Sequence, residues 1–126
     1  MRVLYVDDDT VNALLFVETC RFANGVEVMT AHSGQEALDL VAAWVPQLMV
    51  IDLHLPDTDG YRLLHDLRAA LNRPDLPAFL CTADEVQRVG SDARTAGFEA
   101  CWGKPVDLAM VLNELNTRQA RMKTDT

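Results

Sequence analysis

Residues 3–10 read VLYVDDDT: four apolar residues running straight into three consecutive aspartates, Asp7, Asp8 and Asp9. The apolar half has the length and composition of a buried strand. Adjacent carboxylates repel, so three of them at the mouth of a core require a counter-charge. Outward from this stretch, two kinds of segment alternate. RVLYVD (2–7), VEVMTA (26–31), QLMVID (47–52), PAFLCT (77–82) and FEACW (98–102) read as strands. The segments TVNALLFVETCRFA, SGQEALDLVAAWV, DGYRLLHDLRAAL, DEVQRVGSDARTA and VDLAMVLNELNTRQA read as helices, with apolar residues three and four apart, as at Leu108, Val111, Leu112 and Leu115. The fourth helix is the weakest, because Gly90 lies inside it and its apolar face is thin.

Local chemistry marks the boundaries. Ser33 followed by Glu36 fits a capping box, in which each side chain satisfies a backbone N–H at a helix start. Gly25 and Gly97 stand where helices should stop, and Pro105 at a first helical position. Five strands alternating with five helices imply one α/β domain, a parallel sheet with helices on both faces. The first and third strands, nearly all apolar, belong at its centre.

The 126 residues suit one core. A net charge of −8, from 11 basic and 19 acidic residues, argues against a nucleic-acid-binding surface. No apolar run approaches the ~20 residues of a membrane span, and the opening Met1-Arg2 enters strand-like sequence without a leader. Cys20, Cys81 and Cys101 have no metal-ligand spacing and read as reduced core thiols of a cytoplasmic protein. The final stretch TRQARMKTDT turns polar and is expected to fray.

In an open parallel α/β sheet, ligands bind at the carboxyl ends of the strands. Strand one ends at Asp7-Asp8-Asp9, strand three at Asp52 and strand four at Thr82; strand five is followed by Lys104-Pro105. Two carboxylates about 4 Å apart repel by roughly 4 kcal/mol at an effective dielectric near 20. One lysine cannot offset three of them, whereas a divalent cation with oxygen ligands, Mg²⁺ or Mn²⁺, can. The pocket then suits a phosphoryl group, with metal, Lys104 and the Thr82 hydroxyl around it. Taken singly, each residue has a plainer role: Asp9 as a helix cap, Thr82 as a cap, Lys104 as a surface charge. Their joint placement at central strand ends favours the shared site.

VLYVDDD, VIDLHLPDTDG, CTAD and WGKP, in this order and spacing, resemble the receiver domain of two-component response regulators over about residues 2–118. The resemblance implies a flavodoxin-like doubly wound (βα)5 fold with strand order 2-1-3-4-5, a receiver domain over 1–118 and a polar tail over 119–126. Asp52 matches the phosphoacceptor. Asp7 and Asp8 match the acidic pair that holds Mg²⁺ with Asp52 and the backbone carbonyl of His54; Asp8 is the direct ligand and Asp7 acts largely through water. Thr82 and Lys104 match the residues that bind the phosphoryl group, Thr82 being the switch hydroxyl. The Lys104–Pro105 bond is expected to be cis, and Gly60 matches the glycine of the loop after the acceptor.

The implied function is transfer of a phosphoryl group from a phosphohistidine of a histidine kinase or phosphotransfer protein to Asp52, followed by a conformational signal. The chain would be a signalling domain rather than an enzyme in its own right. Its downstream target would be a protein partner or a fused output domain, and a homodimer through the fourth-helix, fifth-strand and fifth-helix face is a family habit. One position departs from the pattern: Cys101 stands where the family usually has a switching Tyr or Phe. Trp102 falls on the opposite face of the strand, where core packing is its plainer role. His54 and Asp84, each two residues beyond a site residue, are positions that tune phosphoryl lifetime; an exposed loop residue and a cap of the fourth helix are the plainer readings. His32 and His65 read as surface or capping residues without partners.

Two rival readings remain. DDDTV also fits the nucleophile motif of haloacid-dehalogenase-like phosphatases, with Asp7 as nucleophile and Asp9 as acid/base. That reading lacks the further acidic pair that family needs and leaves Asp52 unexplained. The other rival is a receiver-like binding module that no longer takes phosphate, which the complete residue set argues against.

Overall fold

The computed structural model describes residues 1–124. Five strands alternate with five helices: β1 Arg2–Val6, α1 Thr10–Cys20, β2 Glu27–Ala31, α2 Gly34–Val41, β3 Leu48–Asp52, α3 Gly60–Leu71, β4 Ala78–Thr82, α4 Val86–Ala96, β5 Ala100–Gly103 and α5 Leu108–Thr124. All strand pairs are parallel and the order is β2-β1-β3-β4-β5. This is the flavodoxin-like doubly wound sheet that the alternation and the resemblance predict.

The pleat divides the core in two, because successive strand side chains point to opposite faces. Leu4, Val6, Met49, Ile51, Ala78 and Leu80 face α2, α3 and α4. Val3, Tyr5, Leu48, Val50, Phe79 and Trp102 face α1 and α5, where they meet Phe16, Val111 and Leu115. β3 and β4 are buried along their whole length, and each fully buried Leu or Ile contributes about 1.5–3 kcal/mol relative to exposure. The edge strand β2 instead alternates exposed with half-buried residues.

Several expected boundaries shift. Gly97 closes α4 in the left-handed region, at φ 108°. Gly25, however, lies past the end of α1 in the turn before β2, at φ 78°. The left-handed cap of α3 is Asn72, at φ 53°. The Ser33 hydroxyl accepts from the Glu36 N–H at 3.1 Å, but the Glu36 carboxylate reaches the N–H of His32 rather than that of Ser33, so the capping box closes one residue early. Pro105 is not the first residue of α5: its peptide with Lys104 is cis, and the helix starts at Leu108 with Asp107 accepting from the Met110 N–H. The expected fraying is not seen as far as Thr124, because α5 runs on through Arg118 and Arg121; residues 125–126 of the expected tail lie outside the described residues.

Candidate functional site

β1, β3, β4 and β5 end side by side, so Asp7, Asp52, Thr82 and Lys104 converge at one edge of the sheet. Lys104 is aimed by its own backbone, whose N–H bonds the Thr82 carbonyl at 2.8 Å. Its Nζ then donates to Asp7 Oδ2 at 2.8 Å and to Asp52 Oδ2 at 3.1 Å. Asp7 and Thr82 are fully buried, Asp52 is nearly so, and Asp8 is exposed at the mouth. Gly60 makes the loop after β3 fit. A Cβ there would lie 2.7 Å from Leu80 Cδ1 and 2.8 Å from the Asp52 carbonyl oxygen, so only glycine allows this approach.

The charges balance unequally. Burial pushes the Asp7 carboxyl up, but the Lys104 ammonium, the Asp9 N–H and the Tyr5 hydroxyl outweigh it and hold Asp7 below the usual range. Burial likewise pushes Asp52 up. Lys104 opposes this, the Asp7 charge adds to it, and Asp52 stays raised. Burial acts to lower the Lys104 ammonium, yet its bonds to Asp7 and Asp52 raise it overall. The lysine therefore stays protonated between two carboxylates of unequal basicity.

One oxygen from each of Asp7, Asp8 and Asp52 lies within 4.8 Å of the others. This all-carboxylate set, open on the Asp8 side, fits a hard divalent cation that keeps water ligands. The Asp9 carboxylate is not part of it. It caps α1, accepting from the Val11 and Asn12 N–H groups at 2.9 and 3.2 Å, so the acid/base that the phosphatase reading requires is committed elsewhere.

The two positions flagged beyond the site meet each other. His54 Nε2 and Asp84 Oδ2 are 3.0 Å apart, linking the loop after β3 to the loop after β4. Asp84 is not the cap of α4; that position is Glu85, which makes no side-chain cap bond. The Asp84 N–H instead donates to Thr82 Oγ1 at 3.0 Å, so the Thr82 hydroxyl is held by the same loop. Cys101 packs at the margin of the core that faces α3 and α4. Trp102 lies on the opposite face, stacked on Phe79 with centroids 4.4 Å apart. His32 is not without a partner: its Nδ1 lies 3.2 Å from the Asp7 carbonyl oxygen. His65 is exposed.

Two residues of the site escape the sequence reading. Tyr5 donates its hydroxyl to Asp7 Oδ2 at 2.9 Å inside the core; the available signal is a polar-tipped residue two positions before Asp7, on the same side of the strand. Asp57, in the loop after β3, accepts from the N–H groups of Gly34 and Gln35 at 2.8 and 2.9 Å and ties that loop to the start of α2.

Known proteins resemble this chain in sequence and fold. A family model described as response regulator receiver domain matches residues 3–116. The response regulator MprA of Mycobacterium avium (strain 104) is 35% identical over 118 residues, covering 94% of this chain and 49% of that protein. The virulence sensor protein BvgS of Bordetella bronchiseptica is 32% identical over 135 residues, covering 100% of this chain and 10% of that protein. A CheY-like response regulator receiver domain protein from Methanospirillum hungatei JF-1 superposes with TM-score 0.82 at 26% identity, covering 99% of this chain and 98% of that one. The chain thus spans about half the length of MprA and a tenth of BvgS.

Proposed function

Because the chain belongs to the response regulator receiver domain family, we propose that it accepts a phosphoryl group on Asp52 from a phosphohistidine and relays the event through a change of conformation. The observation that carries this reading is Lys104 Nζ, held between Asp7 and Asp52 at 2.8 and 3.1 Å with the buried Thr82 at the adjacent strand end. An Asp52 carboxylate oxygen attacks phosphorus, the O–P bond forms, and the P–N bond breaks with its electron pair returning to the imidazole. Lys104 and the Thr82 hydroxyl receive the phosphoryl oxygens. Asp7, Asp8, Asp52 and the His54 carbonyl would hold Mg²⁺ or Mn²⁺. When bound, the cation supplies positive charge that offsets the transferring group. The product is an acyl phosphate, later lost to water. This is self-modification for signalling, not turnover of a separate substrate.

A helical kinase or phosphotransfer partner has a landing surface beside the pocket. α1 leaves Val11, Leu14 and Leu15 more than half exposed. Between α1 and the loop after β5 runs a groove of about 140 Å³, lined by Asn12, Leu15, Pro105 and Leu108 and reaching Lys104. An apolar face of this kind on a surface helix suits protein docking. The output side would be α4–β5–α5, toward a downstream partner, a fused output domain or a second copy. Among the described residues no helix is long and apolar enough to cross a membrane, which fits action in the cytoplasm. The receiver unit would span 1–118.

Incubation with a small phosphodonor and Mg²⁺, followed by peptide mapping, tests the reading. Absence of label, label on Asp7, or label retained by Asp52→Ala overturns it; label confined to Asp52 supports it.

A further inference from the structure

β1 is aliphatic around a single tyrosine. Tyr5 is 3% exposed, and its ring stacks on Phe16 of α1 with centroids 4.4 Å apart and planes at 17°. Packing alone would be served by phenylalanine. The hydroxyl instead reaches Asp7 Oδ2 at 2.9 Å, and the same oxygen takes Lys104 Nζ at 2.8 Å. The other oxygen, Oδ1, takes the Asp9 N–H at 3.0 Å. A carboxylate offers about four acceptor directions, two on each oxygen. Three are filled from within the protein, which leaves one, on Oδ1.

We propose that Tyr5 is a positioning residue for cation binding: its hydroxyl fixes the Asp7 carboxylate so that one Oδ1 direction alone remains for a divalent ion or its water. This rests on the reading of Asp7, Asp8 and Asp52 as a metal pocket. The donors differ in kind. Lys104 also serves Asp52, so it can move when a phosphoryl group arrives, and Asp9 belongs to the solvent-exposed cap of α1. Tyr5 is the donor locked into the core by a stacked ring, and it serves Asp7 alone. Outer partners that orient metal-binding carboxylates commonly govern affinity by about 10–100-fold.

Titration with Mn²⁺, following the free ion by electron paramagnetic resonance with Mg²⁺ as competitor, tests this on the full chain. Tyr5→Phe is expected to weaken Mn²⁺ binding about tenfold or more. It should also raise the Mg²⁺ concentration giving half-maximal labelling of Asp52 by the same factor. Phe16→Leu, which keeps the hydroxyl but removes the stacked ring, is expected to fall between Tyr5→Phe and the parent. Equal Mn²⁺ affinity for Tyr5→Phe and the parent overturns the proposal, as does a loss confined to the maximal labelling rate. If instead Asp8→Asn binds Mn²⁺ as the parent does, the metal pocket itself is misassigned, and the role of Tyr5 falls with it.

Discussion

Lys104 neutralises one carboxylate, yet two lie against it. Asp52 is the one left unbalanced: burial and the neighbouring Asp7 raise its carboxyl above the ordinary value of 3.8. A carboxyl raised in the folded state favours the protonated form. Its contribution to stability is present at low pH and is lost as pH rises through the raised value. At neutral pH, without divalent ions, ionised Asp52 therefore destabilises the fold. Asp52→Asn should be more stable than the parent by about 1 kcal/mol or more, a rise of roughly 3–5 °C in melting midpoint for a domain of this size. Lys104→Ala removes the shared counter-charge and should destabilise by about 3–5 kcal/mol, with much of the loss regained on adding Mg²⁺. Thermal melts of both variants with and without Mg²⁺ check the pair. An Asp52→Asn protein that melts below the parent would contradict the charge argument.

Between elements, the loops at the mouth are joined by side chains far apart in sequence. Asp57 caps α2 from outside. Bonds from the Gly34 and Gln35 N–H groups hold its carboxyl below 3.8. A depressed carboxyl stabilises above its unfolded value, and that support disappears as pH falls through the depressed folded value. Asp57→Ala should lower the protection factors of the Gly34 and Gln35 amides at neutral pH, each taken relative to its intrinsic exchange rate, to the level the parent reaches only in acid. Unchanged exchange would mean that the cap does not hold the loop. The His54–Asp84 pair makes a second link, between the loops after β3 and β4. His54→Ala and Asp84→Ala are each expected to change the dephosphorylation rate several-fold, and the double variant no more than the larger single effect. Rates equal to the parent in both would remove the tuning role. These links also mark how far the sequence was legible. Asp7, Asp52, Thr82 and Lys104 sit at or just past strand ends, so the strand pattern alone placed them. Ser33 caps a helix that begins next to it, within reach of local spacing. Asp57 and Asp84 turn to partners on other loops, and Pro105 to a turn rather than a helix, because tertiary contacts decide among several locally acceptable bonds.

Across the whole molecule, stability is distributed unevenly, and the receiver reading depends on where it is thin. β1, β3 and β4 carry the doubly covered core, whereas α4 buries only Val89 and Ala93 and begins at Glu85 without a side-chain cap bond. β5 beside it is half-buried at Cys101, where no aromatic ring ties the strand to the Thr82 hydroxyl. Comparison of structures with and without a phosphoryl mimic should therefore show change in the loops after Asp52 and Thr82 and little reshaping of β5; a large rotamer change at Cys101 with a displaced β5 would contradict this. The weak helix can be tested directly. A Cβ at Gly90 would meet nothing within 4 Å. In a helix interior, Gly→Ala is worth about 0.5–1 kcal/mol. If α4 opens on its own, Gly90→Ala should slow exchange of its amides roughly two- to fivefold, the equivalent of that energy. The slowest amides of β1 and β3, which exchange only when the whole domain unfolds, should slow by a similar factor while remaining far more protected than α4 in both proteins. Should α4 in the parent already match β3 in protection, the helix opens only with the whole domain, and a signal routed through it would need a concerted change of the sheet instead.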